Sequence, residues 1–302
     1  MADRATADQR YAFEWVAAPA ELADFLNSLY VVRVGDEPVA DVMPAYSGQL
    51  LVALQGEAAM EFADGSHART GPSGFMCPLT QAHRFTLRPG TVVLGVSLNF
   101  RGWAALTGLS VDTFRDRYIP AEEGLAGPLA ERSRTLVSSV SSGAMSEREA
   151  LDELASLVAE GMRELPERHS QVIGRTLEWL SSSFKPEIAT LLEKLPYSER
   201  QVQRLVTKFF GQPPVRLIRR YRAIRAATIL SMPDLPAKME EEVRDAFYDQ
   251  AHMIKEIRHF TGRTPRRLLP TENSVVREML GEPGYGSVDL FGGNQDEELG
   301  KQ

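Results

Sequence analysis

The chain of 302 residues has a single cysteine, Cys77, so no internal disulfide framework is possible. That usage fits a reducing compartment. No apolar run reaches the ~18 residues that a membrane-spanning helix needs. The opening residues, MADRATADQRYAFEW, lack the apolar core of a secretion signal. These absences lead us to expect a cytoplasmic protein with no membrane association. Chemistry-bearing patterns are also missing. GEPGYGS near the end is glycine-rich, but it does not follow a strand and so is no nucleotide loop. Nothing resembles a Ser/His/Asp triad or a zinc-binding cysteine cluster. His67 in SHART and His83 in AHRFT offer one histidine each, whereas a metal needs three or four converging ligands. No catalytic residue, metal or cofactor is therefore expected, and Cys77 in GFMCPLT reads as a small buried side chain rather than a redox sensor.

Positive charge is scarce overall, with a net charge of -7, but the average conceals unlike regions. Residues 184–270 hold 17 Lys and Arg against 10 Asp and Glu, residues 271–302 hold 2 against 7, and residues 1–183 hold 15 against 24. Phosphate attraction acts within a Debye length of ~10 Å at 0.1 M salt, so the local excess is what a polyanion senses. One segment suits a nucleic-acid partner; the others do not.

What is present begins with strand periodicity. In GQLLVALQGEAAMEFADG, Leu50, Val52 and Leu54 alternate with other residues, Ala58, Met60 and Phe62 continue the pattern, and Asp64-Gly65 ends it. Val92, Leu94, Val96, Leu98 and Phe100 repeat the device after the turn Arg88-Pro89-Gly90. Short strands between Gly/Pro turns predict a β-rich sandwich or small barrel over about 10–100. Helical periodicity follows. Ser146 and Glu149 occupy capping-box positions before a stripe of Leu151, Leu154, Leu157, Val158, Met162 and Leu165. This helix either docks on the β domain or serves dimerisation. PERHS, 166–170, reads as a linker.

Beyond it the helices are short and closely spaced, and one plan occurs twice: helix, tight turn, capped helix, glycine, proline. In the first unit Ser198 caps a helix anchored by Val202, Leu205, Val206 and Phe209, and its outer face presents Arg200, Gln203, Arg204 and Thr207. In the second, Asp249 caps a helix anchored by Met253, Ile257 and Phe260, which leaves Gln250, Ala251, His252 and Lys255 outward. Arg263, Arg266 and Arg267 follow Gly262 and are placed for phosphates. Residues 214–230, with Arg216, Arg219, Arg220, Arg222 and Arg225, would join the units rigidly. Helix-turn-helix readers use such a second helix in the major groove, where Arg pairs with guanine and Gln with adenine.

At this point residues 171–269 resemble the double helix-turn-helix domain of AraC/XylS-type transcription regulators. The likeness rests on SERQVQRLVTKFFGQPPVRLIRRYRAIRAATIL and on FYDQAHMIKEIRHFTGRTPRRL. It implies base contacts by Arg200, Gln203 and Arg204 in the first recognition helix, and by Gln250, Ala251, His252 and Lys255 in the second. LGVSLNFRGWAALTGLSVDTFRDRYIP is similar to the end of a cupin-like sensor region found in some such regulators. The chain departs from the family at Glu241-Glu242 and Ala246-Phe247, and at Met253 and Ile257, where Phe is usual. Two carboxylates at normally buried positions are costly. Either that helix is re-registered on Met239 and Val243, or the second unit is poorly seated.

The expected fold is α+β: a β-rich cupin-like barrel with helices over 1–166, an all-α domain with two helix-turn-helix units over 171–270, and a disordered acidic tail over 271–302. The expected function is sequence-specific binding of duplex DNA by a transcription regulator, a homodimer that responds to a small-molecule effector through its N-terminal domain. A cupin-type enzyme with an accessory helical domain is one alternative. An interaction protein with a degenerate helix-turn-helix is the other.

Overall fold

The computed structural model describes residues 5–8, 10–232, 235–268 and 274–281. Eleven strands occur among them: β1 Ala5–Asp8, β2 Tyr11–Val16, β3 Leu26–Val34, β4 Val39–Met43, β5 Gln49–Gln55, β6 Ala58–Glu61, β7 His67–Arg69, β8 Ser73–Met76, β9 His83–Leu87, β10 Val92–Leu98 and β11 Tyr118–Pro120. They form two antiparallel sheets, in the orders β1-β2-β3-β10-β5-β8-β11 and β4-β9-β6-β7. This is the β-rich N-terminal region expected from the sequence, its two sheets facing each other as a barrel. The turns fall at Gly65 and Gly90, both with positive φ.

Twelve helices accompany the strands: α1 Phe100–Thr107, α2 Val111–Phe114, α3 Ala121–Gly124, α4 Gly127–Ser141, α5 Glu147–Gly161, α6 Glu167–Ser181, α7 Ile188–Glu193, α8 Glu199–Phe210, α9 Pro214–Leu230, α10 Ala237–Asp245, α11 Gln250–Thr261 and α12 Val275–Leu280. Period two in the strands gives the larger sheet two different faces. Leu29, Val31, Leu50, Val52, Leu94 and Val96 join the helices in one core. Tyr30, Val32, Leu51 and Val93 face a second core with Met60 and Phe85 of the smaller sheet. Helices α4 and α5 cover the first face. The Ser146–Glu149 capping box forms as expected, and the apolar stripe after it docks on the β domain rather than standing free.

The helical region is not a separate globule. PERHS, expected as a linker, is in large part the first turn of α6, whose Val172, Ile173 and Leu180 are buried in the same core as the strands. Phe210 of α8 packs on Phe100 of α1 with ring centroids 4.6 Å apart and the rings tilted, and α2 packs on α8. The acidic tail expected over 271–302 also needs correction. Residues 275–280 form α12, with Val275, Val276, Met279 and Leu280 all buried against the barrel and α9. Residues 271–273 and 282–302 lie outside the described residues.

Cys77 is fully buried, and burial pushes its thiol up to about 12, as expected of a packing residue. His83 is held 3.0 Å from Asp116, which also accepts from the Thr80 amide at 2.7 Å. His67 lies elsewhere, on the rim of the smaller sheet. Among the described residues no three His, Cys, Asp or Glu side chains converge as a metal site.

Candidate nucleic-acid interface

The first unit is α7 followed by α8. Leu191 and Leu195 of the supporting segment are buried, as are Val202, Val206, Phe209 and Phe210 on the inner side of α8. Ser198 caps the helix, its amide donating to Gln201 Oε1 at 3.1 Å. Gly211 ends the helix with φ +75°, and a Cβ there would meet Val111 of α2 at 2.9 Å. With one side anchored, the other is left to solvent. Arg200, Gln203 and Arg204 are exposed, and Thr207 is half-buried with its hydroxyl bound to the Gln203 carbonyl at 2.7 Å. Gln203 Nε2 donates to Glu199 at 3.1 Å, a contact that a base edge would have to replace.

The second unit is α10 followed by α11. Asp249 caps α11 by accepting from the His252 amide at 2.7 Å, and Gly262 ends it with φ +73°. Ile257 and Phe260 are buried and Met253 is half-buried, so the anchoring set is the one expected. The Glu241-Glu242 departure is resolved by register: both carboxylates are exposed, Val243 is buried, and Met239 packs on the core. Gln250, Ala251 and Lys255 are exposed at the N-terminal end. His252 behaves differently, its ring lying 3.3 Å from Glu256 and edge-on to Phe247. Arg266 and Arg267 are exposed in a 3-10 turn, Pro265–Leu268. Arg263, which follows Gly262, is instead committed to Asp41 of β4.

Sequence reasoning missed how α9 uses its arginines. Glu256 of α11 is 1% exposed and holds Arg219 at 2.6 Å and Arg222, with His252 as a third neighbour. A carboxylate so buried persists only because its oxygens are matched by cations and hydrogen bonds. Arg220 is buried over the Phe100 ring, with a hydrogen bond to the Ala45 carbonyl at 3.3 Å. Arg225 lies 4.4 Å over Phe184. Part of the positive excess read as polyanion attraction therefore holds the domain together. Only the i, i+4 spacing of His252 and Glu256 hinted at this in the sequence.

The second unit is also fastened to the barrel. The Ala45 amide donates to the Phe260 carbonyl at 2.7 Å and the Ala82 amide to the His259 carbonyl at 3.1 Å. A Cβ on Gly262 would strike Val42 at 2.3 Å, so only glycine allows this approach. An open cleft of about 1550 Å³ remains between the smaller sheet and α11; Ala251, Ile254, Lys255 and Arg258 form one wall, while Ala40, Arg84 and Thr86 line the other. A second concavity lies inside the barrel. It is an apolar cavity of about 70 Å³ walled by Phe13, Trp15, Tyr30, Tyr46, Phe85 and Met279, among others.

A family model described as a helix-turn-helix domain matches residues 191–270. No curated protein matches the chain. Among solved structures, an apo variant of ToxT from Vibrio cholerae strain SCE256 is 8% identical with a TM-score of 0.44, over 86% of this chain and 97% of its own. ToxT from Vibrio cholerae O395 bound to (E)-4-(8-methylnaphthalen-1-yl)but-3-enoic acid is 9% identical with a TM-score of 0.45, over 80% and 97%. The AraC-like transcriptional activator CuxR is 16% identical with a TM-score of 0.33, over 72% and 81%. Taken with the two capped, outward-facing helices, the family match identifies residues 191–270 as a helix-turn-helix domain.

Proposed function

We propose that α8 and α11 read base edges in successive major grooves of one duplex, about 34 Å apart, with α9 setting their separation. Arg200, Gln203, Arg204 and Thr207 are the readers on α8, and Gln250, Ala251 and Lys255 those on α11. His252 reads only by leaving Glu256. Arg266 and Arg267 bind phosphate oxygens and fix register, gaining affinity by counterion release. No bond is made or broken in this mechanism. The observation that carries it is the exposure of both reading faces while the opposite face of each helix is anchored. The barrel cavity, with aromatic walls, is the place for a small-molecule effector. Two chains act together at an operator.

The test is fluorescence anisotropy against sequences recovered by in vitro selection. Arg204→Ala is expected to weaken binding by roughly 1–3 kcal/mol and to relax preference at one position. Unchanged affinity and unchanged preference would refute this reading face. The degenerate-domain alternative rests on Glu241-Glu242 and on the acidic tail, and the exposure of the two carboxylates removes the first of these grounds.

A further inference from the structure

The barrel cavity and the last described helix belong to one device. With α12 in place the cavity measures about 70 Å³. That is under half of the ~150 Å³ that admits benzene, and far below the 300–1,000 Å³ of ordinary ligand pockets. The space is small because the chain itself fills it: Val275 and Met279 of α12 line the cavity beside Phe85 and Tyr30. Helix α12 is held there by Asp41 of β4, whose carboxylate accepts from the Val275 amide at 2.8 Å. The same carboxylate binds Arg263, directly after α11. Asp41 thus ties the barrel to both the plug and the second reading unit.

The cavity walls also say what could displace α12. None of the lining residues is charged. Phe13 and Trp15 are stacked, with centroids 5.2 Å apart and planes 18° from parallel. Trp15 Nε1 is buried and finds no acceptor among the described residues. We propose that an uncharged, apolar or aromatic small molecule with one hydrogen-bond acceptor competes with Val275 and Met279 for the barrel, and that its entry frees α12 and loosens the Asp41–Arg263 tie. This rests on the effector-site reading above and adds the competitor and the ligand class.

The experiment uses the full chain and 6-propionyl-2-(dimethylamino)naphthalene, an uncharged fluorescent probe whose ketone oxygen is a hydrogen-bond acceptor. Its binding is followed by the rise and blue shift of the probe's own emission in an apolar site, which needs no variant of the cavity wall. Hydrogen exchange of residues 275–280 and 250–263 is measured with and without saturating probe. Faster exchange in 275–280 on binding is expected. Asp41→Asn, which lies outside the cavity wall, is expected to tighten probe binding by about tenfold, because it raises the fraction of chains with the plug released. Exchange of wild-type protein needs no variant, so misfolding of Asp41→Asn would not spare the proposal. Probe binding with unchanged exchange of α12 and unchanged affinity in Asp41→Asn would overturn competition while leaving the barrel as an effector site. No binding to wild type, Asp41→Asn or Met279→Ala would overturn both.

Discussion

The two helix-turn-helix units share a plan and differ in what holds them. In the first, α8 is anchored by hydrophobic burial: Val202, Val206, Phe209 and Phe210 on one side, with Phe210 against Phe100 of the helical layer. In the second, α11 is anchored by only Ile257 and Phe260 among fully buried apolar residues, and by the Glu256 network. The first rests on non-directional packing and the second on matched charges. The first is consequently the sturdier reader. The second is the one that a change in the barrel can move, because Asp41, Ala45 and Ala82 reach it directly.

The largest expected effects test this contrast. Phe210→Ala removes a fully buried ring and is expected to cost about 3–5 kcal/mol in chemical denaturation. Glu256→Ala strands Arg222, only 10% exposed, and is expected to cost a similar ~3–5 kcal/mol. Hydrogen exchange separates them: Glu256→Ala should loosen α11 before α8, and Phe210→Ala the reverse. Equal loosening of both helices by either change would erase the distinction.

Next come the two terminal glycines, both left-handed. Gly211→Ala and Gly262→Ala each incur roughly 1–2 kcal/mol of backbone strain. Gly262→Ala should cost more, since its Cβ would meet Val42 at 2.3 Å where that of Gly211 meets Val111 at 2.9 Å. Differential scanning calorimetry gives the order.

Reading of these units from sequence succeeded where local chemistry decides and failed where tertiary contact does. The caps Ser198 and Asp249, the glycines, and the alternation in β5 and β10 are local signals. β3, LNSLYVVRV, was not singled out: its apolar residues run together from Leu29 to Val32 instead of alternating, and no Gly/Pro turn directly precedes it. α12 is six residues in an acidic, glycine-rich stretch, and it is helical because the barrel and α9 bury it. Glu256 was passed over because a helix glutamate is ordinarily solvated, and only Arg219 and Arg222 from a distant helix make its burial tolerable. Arg220, Arg222 and Arg225 counted toward the basic excess for the same reason.

Smaller effects concern DNA and pH. Arg267→Ala should weaken binding nearly uniformly across sequences and reduce the salt slope by about one. Lys255→Ala should cost less than Arg204→Ala, the comparison between units expressed in affinity. Burial pushes the Asp116 carboxyl up, but hydrogen bonds from His83 and Thr80 outweigh it and hold it low. Its stabilisation is therefore complete above the unfolded carboxylate range of ~3.9 and is lost as pH falls through the lower folded value. His169 beside α8 and His259 on α11 are held low chiefly by burial, then by nearby cations. Stability should also slip as pH drops below ~6.5, since the unfolded chain takes up those protons first. Urea titrations at several pH values measure both windows.

In vitro selection with the full chain tests the central claim most directly. Two bound elements in one site, centred about 10–10.5 bp apart, with the first altered by Arg204→Ala and the second by Lys255→Ala, is the predicted result. Recovery of a single element, insensitive to Lys255→Ala and to spacing, would contradict it.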